Sequence, residues 1–175
     1  MAATLDDLLA KQEITELVYC YAHAIDRRDC DLLERLFTPD AVLNYGLFNG
    51  LARDLLAARR NGGSNFLLTH HQTGNVLVRV TGNTARAQSY LSVVHTADRD
   101  GRRRDEHVRA RYLDRLERRD GRWLFVERTL VYDWAWSTDA DAERWWDRLG
   151  SGALTGGGED DPAHGFGFLD DDGRV

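Results

Sequence analysis

The chain of 175 residues contains only two cysteines, Cys20 and Cys30, and no C-x-x-C motif. This scarcity excludes a disulfide framework, so a reducing compartment is the simplest expectation. No run approaches the ~18 consecutive apolar residues that a membrane-spanning helix needs. The first fourteen residues are acidic and have no apolar core of the kind found in signal peptides. We therefore expect a soluble, cytoplasmic protein.

Several motifs that announce particular chemistries are also missing. The sequence has no G-x-G-x-x-G or P-loop, and Gly156 to Gly158 are accompanied by neither a strand nor a lysine. No G-x-S-x-G elbow is present. No cluster of His, Cys and Asp has the spacing of a metal site. These absences lead us to expect an activity without cofactor or metal.

The charge balance is acidic, with 29 Asp and Glu against 23 Lys and Arg and a net charge of −6. Non-specific nucleic-acid binding needs a basic surface, so this balance argues against it. The run from Arg102 to Arg104 is an exception, but acidic residues lie on both sides of it. We interpret the run as a solvated hairpin tip.

The N-terminal third has the pattern of helices. Thr4, followed by Asp6 and Asp7, marks a helix start, because acidic residues favour the positive end of the helix dipole. Apolar residues then recur on one helical face at Ile14, Leu17, Val18, Tyr21 and Ile25. A second short helix opens at Asp29 or Asp31 and ends before Pro39. A strand is predicted over 41–45 and a third helix over 51–60.

The pattern changes to strands after residue 74. Strands are predicted over 75–80, 84–97, 107–119 and 122–134, with a charged loop over 98–105 and a turn at Asp120-Gly121. Residues 107–116 also fit a helix, but the flanking hairpin turns favour a strand. Helices followed by a meander indicate an α+β domain over 1–137. Residues 138–149 are predicted to form a short helix, and the Gly- and Asp-rich residues 150–175 a mobile tail.

Two polar residues stand out as candidates for chemistry. Asp26 follows the apolar stripe of the first helix, where its charge opposes the helix dipole. His71 precedes the predicted strand 75–80, and a neutral His beside a carboxylate can act as a general base. Each also has a plainer interpretation, as a polar residue at a helix end and as a structural His. Spacing alone does not bring the two together.

Four segments together resemble a known family. They are Tyr21-Ala-His-Ala-Ile-Asp26, Leu36-Phe-Thr-Pro-Asp-Ala-Val42, His71-Gln-Thr-Gly-Asn75 and Arg119-Asp-Gly-Arg-Trp123. Their order and spacing resemble the SnoaL-like branch of the nuclear transport factor 2-like superfamily over roughly residues 8–134. The resemblance implies a cone-shaped α+β barrel, in which a strongly curved mixed sheet packs around N-terminal helices and encloses a deep apolar pocket.

The resemblance also implies a site. In dehydratase and dehydrochlorinase relatives an Asp at the end of the first helix orients a His on a central strand, and Asp26 and His71 match these positions. His71 is preferred to His70 because it stands four residues before Asn75. The other catalytic positions that match the relatives are Tyr21, Tyr45 and Arg128. The positions expected to line the substrate pocket are Asn75, Leu91, His95 and Tyr112.

The function implied by the resemblance is that of a cofactor-independent lyase, of dehydratase or dehydrohalogenase type, or of an isomerase. The expected substrate is small, apolar, and cyclic or polyketide-like. Leu91 replaces the second pocket His of scytalone dehydratase, so scytalone itself is not the expected substrate. Two alternatives stay open: a polyketide cyclase with Asp26 as the base, and a non-catalytic binding or oligomerisation domain related to small subunits of ring-hydroxylating oxygenases. The resemblance also implies a homo-oligomer, either a trimer or a dimer.

Overall fold

The first helix, α1 (Leu5–Arg27), has defined ends. A capping box starts it, because the Thr4 hydroxyl accepts from the backbone of Asp7 at 3.1 Å and the Asp7 carboxylate accepts from the backbone of Thr4 at 2.9 Å. Arg28 ends it in the left-handed conformation, with φ of 58°. The Arg28 guanidinium then donates to the backbone carbonyls of Phe66 and Leu67 at 3.1 and 3.0 Å. The end of α1 is therefore tied to the sheet.

The computed structural model describes residues 4–62, 66–140, 156, 161–167 and 169. After α1 come α2 (Cys30–Leu36), β1 (Phe37–Asn44), β2 (Asn49–Leu51) and α3 (Ala52–Arg60). Asp29 caps α2 by accepting from the backbone of Leu32 at 2.8 Å. The three predicted helices are confirmed. The strand predicted over 41–45 begins earlier, at Phe37, and Pro39 lies inside it.

Four long strands complete the sheet: β3 (Phe66–Thr81), β4 (Thr84–Arg99), β5 (Arg102–Arg119) and β6 (Arg122–Asp139). The strand order is β2-β1-β6-β5-β4-β3, and the β1–β6 pair is parallel while the others are antiparallel. The mixed, curved sheet with N-terminal helices confirms the α+β prediction. The sheet is nevertheless open, with β2 and β3 at its edges, so it is not a closed barrel.

The strands are longer than their hydrophobic patterns predicted. The segment 98–105 is not a loop, since β4 and β5 continue to Arg99 and from Arg102. β3 begins nine residues before the predicted strand, so that His71 lies within it. Backbone pairing across the sheet fixes these polar segments as strands, although they lack apolar alternation.

The structure describes only part of the C-terminal region for which a helix and a tail were predicted. Positions 138 and 139 belong to β6, and the rest of the predicted helix 138–149 lies outside the described residues, except for position 140. Within the predicted tail 150–175, Pro162–Gly165 form one turn of 3₁₀ helix. Asp161, directly before that turn, is buried and lies 3.6 Å from the guanidinium of Arg27 on α1.

The core lies between α1 and the inner face of the sheet. The buried residues of α1 include Ile14, Val18 and Ile25, which lie on the predicted helical face. The sheet contributes buried apolar residues from its central strands, among them Val93 and Phe125. None of the helices in the described part of the chain is long and apolar enough to cross a membrane.

The β5–β6 turn provides a test of the fold. Asp120 and Gly121 both have positive φ, 52° and 79°, which a two-residue hairpin turn of type I′ requires. We expect Gly121→Ala to lower the free energy of unfolding by about 1–2 kcal/mol, because a Cβ disfavours the left-handed conformation. Urea unfolding measures this change.

The matched control is Gly74→Ala in β3. Gly74 does not have a positive φ, and a Cβ built on it meets no atom within 4 Å. It should therefore change stability much less than Gly121→Ala. Equal destabilisation by the two variants would contradict the turn assignment.

Candidate active site

Asp26 and His71 are in direct contact. The carboxylate oxygen Oδ1 of Asp26 lies 2.6 Å from Nδ1 of His71 and also accepts from the hydroxyl of Thr69 at 2.9 Å. The second oxygen, Oδ2, accepts from the backbone N–H of His71 at 2.7 Å. Asp26 lies in the last turn of α1 and His71 in β3, so three hydrogen bonds join helix to strand at this point. Both carboxylate oxygens are engaged.

The surroundings of the pair determine the charge of Asp26. Both side chains are nearly buried, with 8% of His71 and 11% of Asp26 exposed. Burial acts to raise the pKa of the Asp26 carboxyl, but the hydrogen bonds from His71 and Thr69 outweigh it and the pKa is lowered. Asp26 is therefore ionised at neutral pH and requires a proton on Nδ1 of His71. In the neutral imidazole this leaves the lone pair on Nε2, to which no residue in the described part of the chain hydrogen-bonds.

A second histidine, His95, lies beside the pair. His95 on β4 is paired with Thr69, its ring centre is 5.5 Å from that of His71, and it stacks on Phe66 at 4.1 Å. Burial lowers the pKa of His95 to about 4, and the charges of His71 and Arg59 act in the same direction. His95 is thus neutral at pH 7.

Two tyrosine hydroxyls form a second polar centre. The Oη atoms of Tyr21 and Tyr45 are 2.8 Å apart, and Tyr112 packs edge-on against Tyr21 with ring centres 5.7 Å apart. Burial raises the pKa of Tyr45 and of Tyr112 well above the ordinary value. These hydroxyls stay protonated at neutral pH and can donate hydrogen bonds.

Arg128 lies behind the tyrosines. Its guanidinium makes a bidentate ion pair with Asp114, at 2.7 and 2.9 Å, and both side chains have 0% exposure. It also lies about equally close to the rings of Tyr21, Tyr112 and Phe125, at 4.0 to 4.2 Å. The family resemblance implies that Arg128 assists a leaving group, and an ion pair on the surface is the plainer interpretation. The pair with Asp114 exists but is fully buried, and the guanidinium has no exposed surface for a substrate to contact.

An apolar stretch of the inner face separates the two polar centres. His71 is paired with Val93, and Tyr112 is paired with Ser89 four residues earlier on the same strand. Four residues of strand correspond to roughly 13 Å. The buried side chains between the centres include Leu91 and Ala110, which are paired with each other. Leu91 and Tyr112 thus face inward, as expected of pocket residues.

Asn75 does not line this surface. It is exposed and has φ of 49°, at an irregularity in the β3–β4 pairing between Gly74 and Leu77. The bulge shifts the alternation of the strand by one residue, which moves Asn75 to the outer face. The structure thus does not bring Asn75 to the other site residues, and its contact with a substrate stays a prediction from the sequence.

Two further residues lie near these centres and were not predicted from the sequence. Thr69 stands two residues before His71, so it projects from the same face, and that spacing could have revealed it. Tyr132 is half-exposed, and its hydroxyl donates to the backbone carbonyl of Tyr45 at 3.4 Å. A strand pattern could not reveal Tyr132, because its position depends on the pairing of β6 with β5. Among the described ranges, no three His, Cys, Asp or Glu side chains converge as a metal site would require.

The comparisons with known proteins agree with this architecture. The SnoaL-like domain family matches residues 6–129, which is most of the chain. The chain belongs to the SnoaL-like domain family. The uncharacterized protein Rv2910c of Mycobacterium tuberculosis is 33% identical over 111 residues, which cover 57% of this chain and 76% of that protein.

Solved structures share the fold at lower identity. The hexachlorocyclohexane dehydrochlorinase LinA-type3 of Novosphingobium barchaimii is 17% identical, covers 82% of this chain and 98% of its own, and has a TM-score of 0.69. The Kfla4162 protein of Kribbella flavida is 21% identical, covers 72% and 92%, and has a TM-score of 0.64. At such identities the likeness establishes the fold alone.

The buried ion pair predicts a large stability effect. Asp114→Asn leaves the charge of Arg128 without a partner in the core, and we expect the free energy of unfolding to fall by about 3–5 kcal/mol. The control is Asp133→Asn, which breaks another Arg–Asp pair between β5 and β6, with side chains 30% and 25% exposed. That variant should cost about 0–1 kcal/mol. Urea unfolding compares the two, and similar costs would contradict the assigned burial.

The low pKa of His95 makes the free energy of unfolding depend on pH. The pKa of His95 is about 4 in the folded protein against an ordinary value of 6.5, so the unfolded chain binds the proton more readily. Its contribution to stability is complete above pH 6.5 and is lost as the pH falls from 6.5 to 4. Between pH 7 and pH 5 we expect a loss of about 1–2 kcal/mol from this residue.

His95→Gln should remove this part of the pH dependence, measured by urea unfolding at pH 7 and pH 5. The control is His70→Gln, which removes an exposed histidine from the same region and should leave the loss unchanged. An unaltered pH dependence in His95→Gln would contradict the buried, neutral state of His95.

Proposed function

We propose that this protein is a cofactor-independent lyase, of the dehydratase or dehydrohalogenase type, or an isomerase, in which His71 is the general base. The observation that supports the proposal is the 2.6 Å contact between Nδ1 of His71 and the ionised Asp26. This contact selects the tautomer in which Nε2 can accept a proton. The hexachlorocyclohexane dehydrochlorinases that share the fold are named for a reaction of this class.

The reaction begins with a proton transfer. Nε2 of His71 takes a proton from a carbon next to an electron-withdrawing or leaving group, and the C–H electron pair forms the new double bond. The Asp26 carboxylate stabilises the imidazolium that results. General-base catalysis of this kind contributes about 10²–10⁴-fold to the rate. In an elimination the leaving group departs from the neighbouring carbon, and in an isomerisation the proton returns at another carbon.

The Tyr21–Tyr45 pair completes the reaction. Because Tyr45 stays protonated at neutral pH, it can donate its proton to a departing hydroxyl, which leaves as water. The proton that His71 has taken from carbon then returns to the Tyr45 oxygen, which restores both groups. Tyr45 can also hydrogen-bond to an enolate oxygen in an isomerisation, or to a departing halide. Arg128 does not contact the substrate in this mechanism. Its charge acts to lower the pKa of Tyr45, but burial outweighs this effect, so the hydroxyl stays a hydrogen-bond donor.

The apolar surface between the polar centres sets the substrate class. Leu91, Val93 and Ala110 lie between His71 and the tyrosines and offer no charged group. They are buried beneath α1, so a substrate that spans the two centres has to displace part of this packing. Such an apolar surface favours a small apolar molecule, cyclic or polyketide-like, with a single polar group at the reacting end. An apolar environment also strengthens the electrostatic interactions of the two centres.

The alternatives account for the geometry less well. In a cyclase with Asp26 as the base, the carboxylate would need a free oxygen, whereas both oxygens accept hydrogen bonds from Thr69 and His71. A binding domain without catalysis requires both that large side chains fill the cone and that Asp26 lies far from His71, and the 2.6 Å contact between the two residues does not meet the second condition. The cytoplasmic location and the homo-oligomeric state remain predictions from sequence.

His71→Ala tests the proposal directly. We expect turnover to fall by about 10²–10⁴-fold, because the base is lost. The measurement uses small cyclic halides and hydroxylated cyclic ketones in D₂O, with elimination products and deuterium incorporation detected by NMR. Deuterium incorporation without elimination identifies the isomerase branch.

The matched control is His70→Ala, one residue away on the opposite face of β3. His70 is exposed and should be dispensable, so its variant should retain activity. Circular dichroism and urea unfolding establish that both variants are folded. Wild-type turnover in folded His71→Ala, or an equal loss of turnover in His70→Ala, would contradict the assignment of His71 as the base.

A further inference from the structure

Three arginines stand side by side on the outer face of the sheet, which is the face opposite α1. Arg79 on β3 is paired with Arg86 on β4, and Arg86 is paired with Arg115 on β5. Paired residues on antiparallel strands project from the same face, with their Cβ atoms about 4.5–5.5 Å apart. We call Arg79, Arg86 and Arg115 the arginine row.

Only one end of the arginine row is neutralised. Arg115 forms an ion pair with Glu127 at 3.1 Å, and the other oxygen of Glu127 accepts from the side-chain amide of Asn44 at 3.3 Å. Arg79 and Arg86 form no ion pair with any residue in the described part of the chain. Like charges directly opposite one another destabilise a sheet. The ligand-free fold therefore contains a repulsion that a bound anion would relieve.

The arginine row lines two clefts. One has a volume of about 540 Å³ and the other of about 670 Å³, and Arg79, Arg86 and Arg115 contribute to both. The first cleft also contains Leu77 and Leu113, which are 64% and 40% exposed. Volumes of this size suit small molecules. Glu127 lines both clefts, Asp114 the first and Glu117 the second. These carboxylates are paired with Arg115, Arg128 and Arg119, so they leave Arg79 and Arg86 without a counter-charge beside an apolar wall.

We propose that the arginine row binds a small, multiply charged oxyanion, such as the phosphate or pyrophosphate group of a small molecule. The guanidinium groups of Arg79 and Arg86 hold the anion, because their planar forks match phosphate oxygens. The apolar remainder of the ligand packs against Leu77 and Leu113. The row lies on the opposite face of the sheet from His71, so this site does not depend on the proposed reaction.

Charge distinguishes this occupant from two others. A two-fold contact between copies of this chain centred on the arginine row would oppose arginines with arginines. A long nucleic acid would meet a protein of net charge −6. A small anion meets neither obstacle, because it contacts only the local row.

The experiment follows thermal unfolding of the full chain as sodium pyrophosphate is added at constant ionic strength. We expect a saturable rise in Tm for the wild type, because a ligand that binds only the folded state stabilises it. Arg86→Gln should differ from the wild type in its Tm without ligand and in its affinity for pyrophosphate. Without pyrophosphate its Tm should rise by about 1–2 °C, because the repulsion is relieved. Its affinity for pyrophosphate should fall by about tenfold or more.

Arg79→Gln is a second variant with the same expectation, and Arg103→Gln is the control. Arg103 is exposed near the start of β5, outside the row, so its variant makes the same change in net charge and should bind pyrophosphate as the wild type does. The proposal is overturned if the wild type does not respond saturably, or if Arg103→Gln loses as much affinity as Arg86→Gln. A lower Tm of ligand-free Arg86→Gln also overturns it, as does a loss of self-association in that variant by analytical ultracentrifugation.

Discussion

The arrangement of the site depends on the hydrogen bonds that the Asp26 carboxylate accepts. Its two oxygens accept from the Thr69 hydroxyl, the His71 ring and the His71 backbone, at 2.6 to 2.9 Å. A carboxylate at the C-terminal end of a helix is unfavourable with respect to the helix dipole. Here that cost is offset by the three donors from the strand, which lower the pKa of Asp26. The same bonds that fix α1 against β3 also fix the histidine tautomer.

The buried Arg128–Asp114 pair plays a comparable part at the tyrosine centre. A buried charge is tolerated only when it is paired, and the bidentate geometry provides that pairing. The guanidinium plane then packs against aromatic rings at about 4 Å. Because Tyr21 and Tyr112 cannot move without exposing the charge, the tyrosine hydroxyls have a defined direction. A hydroxyl and an imidazole held on opposite sides of an apolar stretch suit the general acid–base chemistry that we propose.

The two faces of the sheet differ in character. The inner face is apolar between its polar centres, and α1 covers it. The outer face is exposed and carries charged and aromatic side chains, including the arginine row. Alternation along β4 keeps the two sets of side chains apart, because Ala85 and Ala87 are buried while Arg86 between them is exposed. Substitutions on one face should therefore affect the other face little.

Local patterns in the sequence determined the helices, the α+β class and the turn at Gly121, because capping residues, helical periodicity and turn chemistry act within a few residues. The family resemblance then linked Asp26 to His71 from the sequence alone. It could not reveal that β3 starts at Phe66 or that Asn75 turns outward, because strand pairing and bulges are settled between distant segments. Only the tertiary structure decided that Arg128 is buried behind the tyrosines and that three arginines stand in one row, since burial and cross-strand neighbours depend on residues far apart in the chain.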